Sequence, residues 1–147
     1  ANLWGRVVLD DLDYQRRHAS QMLAYGSSKL MNILFARGIA ERWKADGIVA
    51  AAVHPGTVAT SFGRESRMAG LLYRSPLRRL ALSSPEQGAA PLIALVRRGA
   101  DPNINGVYFH RFHAHGIANR QARDQTLIDG LWERSRQLAG VPSTDPN

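Results

Sequence analysis

Cysteine is absent from the 147 residues, which removes disulfide frameworks and thiolate metal sites together. No apolar run approaches the ~18 residues of a membrane-spanning helix, and the start of the chain carries no signal-peptide pattern. The 13 glycines are widely spread. The nearest pairs, such as Gly56 with Gly63 and Gly63 with Gly70, are seven positions apart. A Gly-x-Gly-x-x-Gly turn, which needs clustered glycines to bring backbone close to a phosphate, is therefore excluded. Negative charge is scarce: 12 Asp and Glu against 19 Lys and Arg, a net +7. Such a balance can mark a nucleic-acid binder. Here the positive residues are scattered from Arg6 to Arg136, arginine far outnumbers lysine, and no recognition motif accompanies them, so no nucleic-acid partner is expected.

What is present suits one soluble globular domain: 44% hydrophobic and 21% charged residues, in a chain long enough to bury a core. The lack of cysteine is compatible with a cytoplasmic location. Residues 1–22 hold the apolar run "RVVLDDL" and then a polar stretch, which reads as a loop. The spacing of Leu30, Ile33, Leu34 and Phe35 predicts a long helix over 24–43, with Arg37, Glu41 and Arg42 facing solvent and Gly47 as its left-handed stop. "IVAAAVH", Ile48–His54, is unbroken apolar sequence between Gly and Pro-Gly and predicts a strand buried on both faces. Helix followed closely by strand is half of a parallel α/β unit.

Ser84, Pro85 and Gln87 carry the signature of a capped helix start, and Gly99 follows two arginines at its end. Pro91 is expected to bend this helix without ending it. "NGVYF", residues 105–109, is a second strand, "QTLIDGLWERSRQLAG" a last amphipathic helix, and "VPSTDPN" a frayed tail.

"YGSSK" opens the long helix with Tyr25, Ser28 and Lys29 at spacings of three and four, so the three share one face. A phenol near pKa 10 is a poor base at neutral pH. An ammonium one turn away favours the phenolate and suits the pair to proton exchange with an alcohol. On spacing alone an aromatic that packs and a lysine that solvates remain the alternative. His110, His113 and His115 in "HRFHAHG" have no acidic partner nearby and read as exposed loop histidines, so no metal site is expected.

The order "WGRVVLDDL", "YGSSKLMNILFARGIAERW", "AAVHPGTVATSF", "SSPEQGA" and "GVYF" resembles the short-chain dehydrogenase/reductase family, in its retinol-dehydrogenase-like branch. The likeness runs from about residue 3 to residue 140 and covers the family's C-terminal half only. It implies an α/β fold: the C-terminal part of a Rossmann-like doubly wound parallel sheet with flanking helices, residues 1–147 forming a portion of one domain. It implies oxidoreductase chemistry with NAD or NADP. Tyr25 would be the general acid/base, and Lys29 would hold the nicotinamide ribose and tune the phenol. Pro55 and Gly56 would let backbone pass close to the nicotinamide, and Val58 and Thr60 would hold its carboxamide or nearby phosphate. Ser28 stays open between a packing and a catalytic role.

Residues 61–82, with Met68, Leu71, Leu72, Tyr73, Leu77 and Leu80, correspond to the family's substrate lid. An apolar inner face there would suit a greasy alcohol or carbonyl substrate. The family's glycine-rich turn and catalytic serine have no counterpart in these residues. The chain therefore reads as a fragment inactive by itself. The alternative is a non-catalytic assembly or binding module that pairs with itself or with another subunit.

Overall fold

A computed structural model describes residues 1–56 and 83–142. The chain forms two compact units. The first comprises Ala1–Ala52, Ala100–Tyr108 and Gly116–Asn147; the second comprises Val53–Gly99 and Phe109–His115.

The first unit is built on helix α1, Gln21–Arg42. It starts at Gln21, earlier than apolar spacing predicts, because Ser20 accepts the Leu23 amide and caps it there. Gly47 adopts φ +73°, but it is not the helix stop expected of it: α1 already ends at Arg42 with Trp43 as its cap, and the glycine closes the turn that follows. Leu30, Ile33 and Leu34 of α1 are buried with Val7, Tyr108, Ala122, Ile128 and Leu131 in one cluster. Ile128 and Leu131 come from a second helix of this unit, Gln125–Leu138, capped by Asp124.

Two arginines expected in solvent are held instead. The Arg37 guanidinium donates to the Gly106 and Ala122 carbonyls, and burial pushes its pKa down. Arg42 pairs with Asp129 at 2.6 Å and lies over the Trp132 ring. A long side chain can bury its stem while its head finds carbonyls, which apolar periodicity does not report.

The stretch Gly5–Val7 is extended and has no strand beside it among the described residues. Side chains satisfy its backbone instead. Gln121 accepts from Val7 N and donates to Val7 O, both at 3.0 Å, while Asn119 Nδ2 donates to the Gly5 carbonyl at 2.8 Å. Buried polar backbone must be paired somewhere, and this is where these groups go. Asn2, also buried, donates to the Tyr108 hydroxyl at 2.9 Å and accepts from Asn119 N.

Strand β1, Ala52–His54, pairs with β2, Tyr108–His110. Ala52 N donates to Val107 O and Arg111 N to His54 O, so the numbering rises together along both strands and the pair is parallel. Helices together with a parallel two-stranded sheet make this a partial α/β, Rossmann-like fold. Both strands are shorter than the sequence suggested, and β1 is half-buried, not enclosed; Ile48 is 44% exposed.

In the second unit α2, Pro85–Val96, has the complete capping box: Ser84 accepts from Gln87 N while Gln87 accepts from Ser84 N. The helix runs through the buried Pro91 without ending, as expected. The third helix of the chain, Gln125–Leu138, is α3. Among the described residues no helix is long and apolar enough to cross a membrane.

Candidate active site

Tyr25 lies in the second turn of α1, 45% exposed, and Lys29 follows one turn later, also exposed. The Lys29 ammonium sits over the Tyr25 ring, 5.1 Å from its centroid. That is a cation–π arrangement, and it shows the two side chains sharing one face as their spacing requires. Ser28 donates to the Tyr25 carbonyl at 2.7 Å, a local back-bond within the helix.

The neighbouring Ser27 is the residue that spacing passes over. It is 2% exposed. Its hydroxyl accepts from Arg6 N at 2.9 Å, faces the Arg6 and Leu23 carbonyls at 3.1 and 2.9 Å, and meets the Tyr14 hydroxyl at 2.5 Å. The backbone beside it is equally close: a Cβ on Gly5 would overlap the Gly26 carbonyl, and one on Gly26 would lie 3.0 Å from Gly5 N. The face carrying Gly26, Ser27 and Leu30 is thus clamped to the extended Gly5–Val7 stretch, and this leaves Tyr25 and Lys29 outward. The two glycines of "WGR" and "YGS" were the sequence signal for this approach.

Pro55 and Gly56 belong to the second unit. Gly56 has φ +95°, a left-handed conformation that suits glycine. A Cβ there would meet the Arg111 side chain at 3.8 Å and Ser83 Oγ at 3.9 Å. Just before it, His54 stacks on His110 with ring centroids 5.3 Å apart and planes 16° from parallel. Burial, then nearby positive charge including that of His110, lowers the His54 pKa. Val58, Thr60 and the whole 61–82 segment lie outside the described residues.

In the first unit a cleft of about 820 Å³ opens between α1 and α3, lined by Phe35, Trp43, Trp132 and Val141 with Arg42 and Glu133. Phe35 stacks on Trp132 at 5.2 Å, and Trp43 meets that indole edge-on at 5.3 Å. Neither Tyr25 nor Lys29 lines this cleft.

Tyr25 and Lys29, on one helical face, have the chemistry to meet the nicotinamide-ribose end of an NAD(P) group, whereas for its pyrophosphate the sequence has no clustered glycines.

No protein-family model matches the chain. Curated proteins do. Retinol dehydrogenase 12 of Mus musculus is 36% identical over 144 residues, 96% of this chain and 43% of that protein. Retinol dehydrogenase 13 of Homo sapiens is 30% identical, with 96% of this chain and 44% of that protein covered. Dehydrogenase/reductase SDR family member 13 of Bos taurus is 37% identical over 93% of this chain and 37% of its own length. A crystal structure of an uncharacterized protein from Mycobacterium Paratuberculosis superposes with a TM-score of 0.57 at 26% identity, over 95% of this chain and 47% of the other. The chain spans less than half the length of these relatives.

Proposed function

We propose that this chain, a homologue of the short-chain dehydrogenase/reductases of the retinol-dehydrogenase kind, carries the proton-exchange part of an NAD(P)-dependent interconversion of an alcohol and a carbonyl compound. The observation that supports this reading is the Tyr25–Lys29 pair, exposed on one face of α1 with the ammonium 5.1 Å from the ring centre. A bound nicotinamide cofactor would supply or take up the hydride. In reduction the Tyr25 phenol gives its proton to the oxygen of the forming alkoxide; in oxidation the phenolate takes the hydroxyl proton. The Lys29 ammonium hydrogens are available to ribose hydroxyls.

Pro55 and Gly56 are proposed to lie along the nicotinamide, the positive φ of Gly56 leaving that surface free of a side chain. Val58 and Thr60 complete the cofactor contacts in this proposal, and residues 61–82 cover an apolar substrate. A cytoplasmic setting and self-association belong to the same proposal.

Where turnover is measured, Tyr25→Phe should lower kcat by about 10²–10⁴-fold, the usual worth of a positioned acid/base group, while KM for the cofactor stays near its parent value. Retained kcat would overturn the reading. A binding test needs no turnover. Reduced nicotinamide mononucleotide added to the 147-residue chain should shift the NMR signals of Tyr25, Lys29 and Gly56, and shifts confined to the Phe35–Trp132 cleft would contradict the assignment.

A further inference from the structure

We propose that Tyr14 is a positioning residue for the Tyr25–Lys29 pair: its hydroxyl, acting through Ser27, sets the rotation of the first turns of α1. The proposal rests on the catalytic reading of Tyr25 and Lys29 and adds to it a residue that does not touch the reacting atoms.

Three observations carry it. The first is the hydrogen-bond count at Ser27. A hydroxyl has one proton and two acceptor sites. Arg6 N–H fills one acceptor site at 2.9 Å, and the Arg6 and Leu23 carbonyls, at 3.1 and 2.9 Å, compete for the proton. Either hydroxyl can donate across the 2.5 Å between Ser27 and Tyr14, and the Tyr14 hydroxyl also reaches the Arg6 carbonyl at 3.3 Å; with Tyr14 donating to Ser27 the second acceptor site is filled. Only then is the 2%-exposed oxygen fully satisfied, with its own proton free for the Leu23 carbonyl. Back-bonds of this kind often bend helices, and this one lies in the turn that carries Tyr25.

The second observation is strain. Tyr14 has φ +60°, a region that a bulky side chain rarely enters. It stays there with its ring under the Arg17 guanidinium, 5.1 Å from the centroid, and its hydroxyl on Ser27. Such an outlier persists when its surroundings over-determine it, and these cluster at functional sites.

The third observation is the division of labour along the helix. The Gly5–Gly26 backbone contact stops α1 from approaching or sliding over the extended segment but does not resist its rotation. Hydrogen bonds to Ser27 from off the helix axis do, and Tyr14 supplies one beside that of Arg6 N–H. Since Tyr25 and Lys29 project from the face opposite Ser27, a small rotation there moves both.

The test reads the pair directly. In the 147-residue chain, the Lys29 ε-methylene protons over the Tyr25 ring should resonate upfield of their position in Tyr25→Leu, because the ring current acts on them. Tyr14→Phe keeps the ring and removes only the hydroxyl; Ser27→Ala removes its partner. Both variants should return the Lys29 signal toward the Tyr25→Leu position while the amide signals of the Leu30, Ile33 and Leu34 core stay in place. A purely structural role would lower the melting temperature and leave the Lys29 shift alone. An unchanged shift in both variants overturns the proposal, as does a parent chain with no upfield shift, and a change in Ser27→Ala alone overturns the part assigned to Tyr14. Tyr25→Phe retains the aromatic ring and hence the signal, so failure of the catalytic reading, seen as retained turnover in that variant, is distinguishable from failure of the positioning role.

Discussion

At Gly5 the absence of a side chain decides how closely two pieces of backbone meet. A methyl group there collides with the Gly26 carbonyl, which is helix backbone and cannot swing aside. Gly5→Ala should therefore cost about 1–3 kcal/mol, the usual penalty of overpacking, read as a lower urea midpoint with an unchanged slope. Asp11 makes a different kind of residue-scale statement. Its carboxyl is held below the ordinary 3.8 first by the Arg16 amide and then, against the opposing effect of burial, by the Arg17 guanidinium at 2.9 Å. A depressed carboxyl pKa stabilises the folded chain fully above the unfolded value, and the contribution is lost as pH falls through the lower folded value. Melting temperatures measured downward from pH 5 should fall less steeply in Asp11→Asn than in the parent, and equal slopes would remove Asp11 from the acid response.

At the scale of elements, α2 is held by its ends more than by its faces. Gly88 and Pro91 are its buried residues, whereas Leu92, Ile93 and Val96 are exposed. Its reciprocal cap, Ser84 with Gln87, thus matters more than in a helix anchored by a broad apolar face. Ser84→Ala should destabilise α2 by about 1 kcal/mol, seen as faster amide exchange at Gln87 and Gly88; unaltered exchange would show that packing alone holds the first turn. Helix α1 is the opposite case, its middle locked by Leu30 and Leu34, each with no exposed surface. At its far end Phe35, Trp43 and Arg42 converge on Trp132 of α3.

For the molecule as a whole, the relevant comparison is between the holders a dinucleotide requires and those these residues provide. Dinucleotides are gripped mainly at the pyrophosphate, by backbone amides of a glycine-rich turn at a helix start, and glycines here are never closer than seven positions, as with Gly56 and Gly63. A few contacts at the proposed nicotinamide end, at a net ~1 kcal/mol each, barely exceed the several kcal/mol lost on immobilising a ligand, so binding there is weak. Calorimetric titration of NADH or NADPH into the 147-residue chain should therefore give no micromolar binding. A micromolar constant would mean that another part of the chain holds the pyrophosphate.

Much of this was legible in the order of residues because the physics behind it is local. Ser84, Pro85 and Gln87 announce a helix start within four positions, and Gly99, soon after the end of α2, adopts positive φ. The three- and four-residue spacing of Tyr25, Ser28 and Lys29 already puts them on one face, and helical geometry brings ammonium and ring together. What the tertiary structure alone decided are the contacts made across long separations. Arg37 reaches carbonyls 69 and 85 positions away, Gln121 stands in for a strand partner of Val7 across 114 positions, and Asn2 meets Tyr108 across 106. The choice between two adjacent serines belongs to this second class. Ser27 and Ser28 are chemically identical and one step apart, yet a step of 100° around the helix turns one into the approaching Gly5–Val7 backbone and the Tyr14 hydroxyl and leaves the other donating to the Tyr25 carbonyl of its own helix.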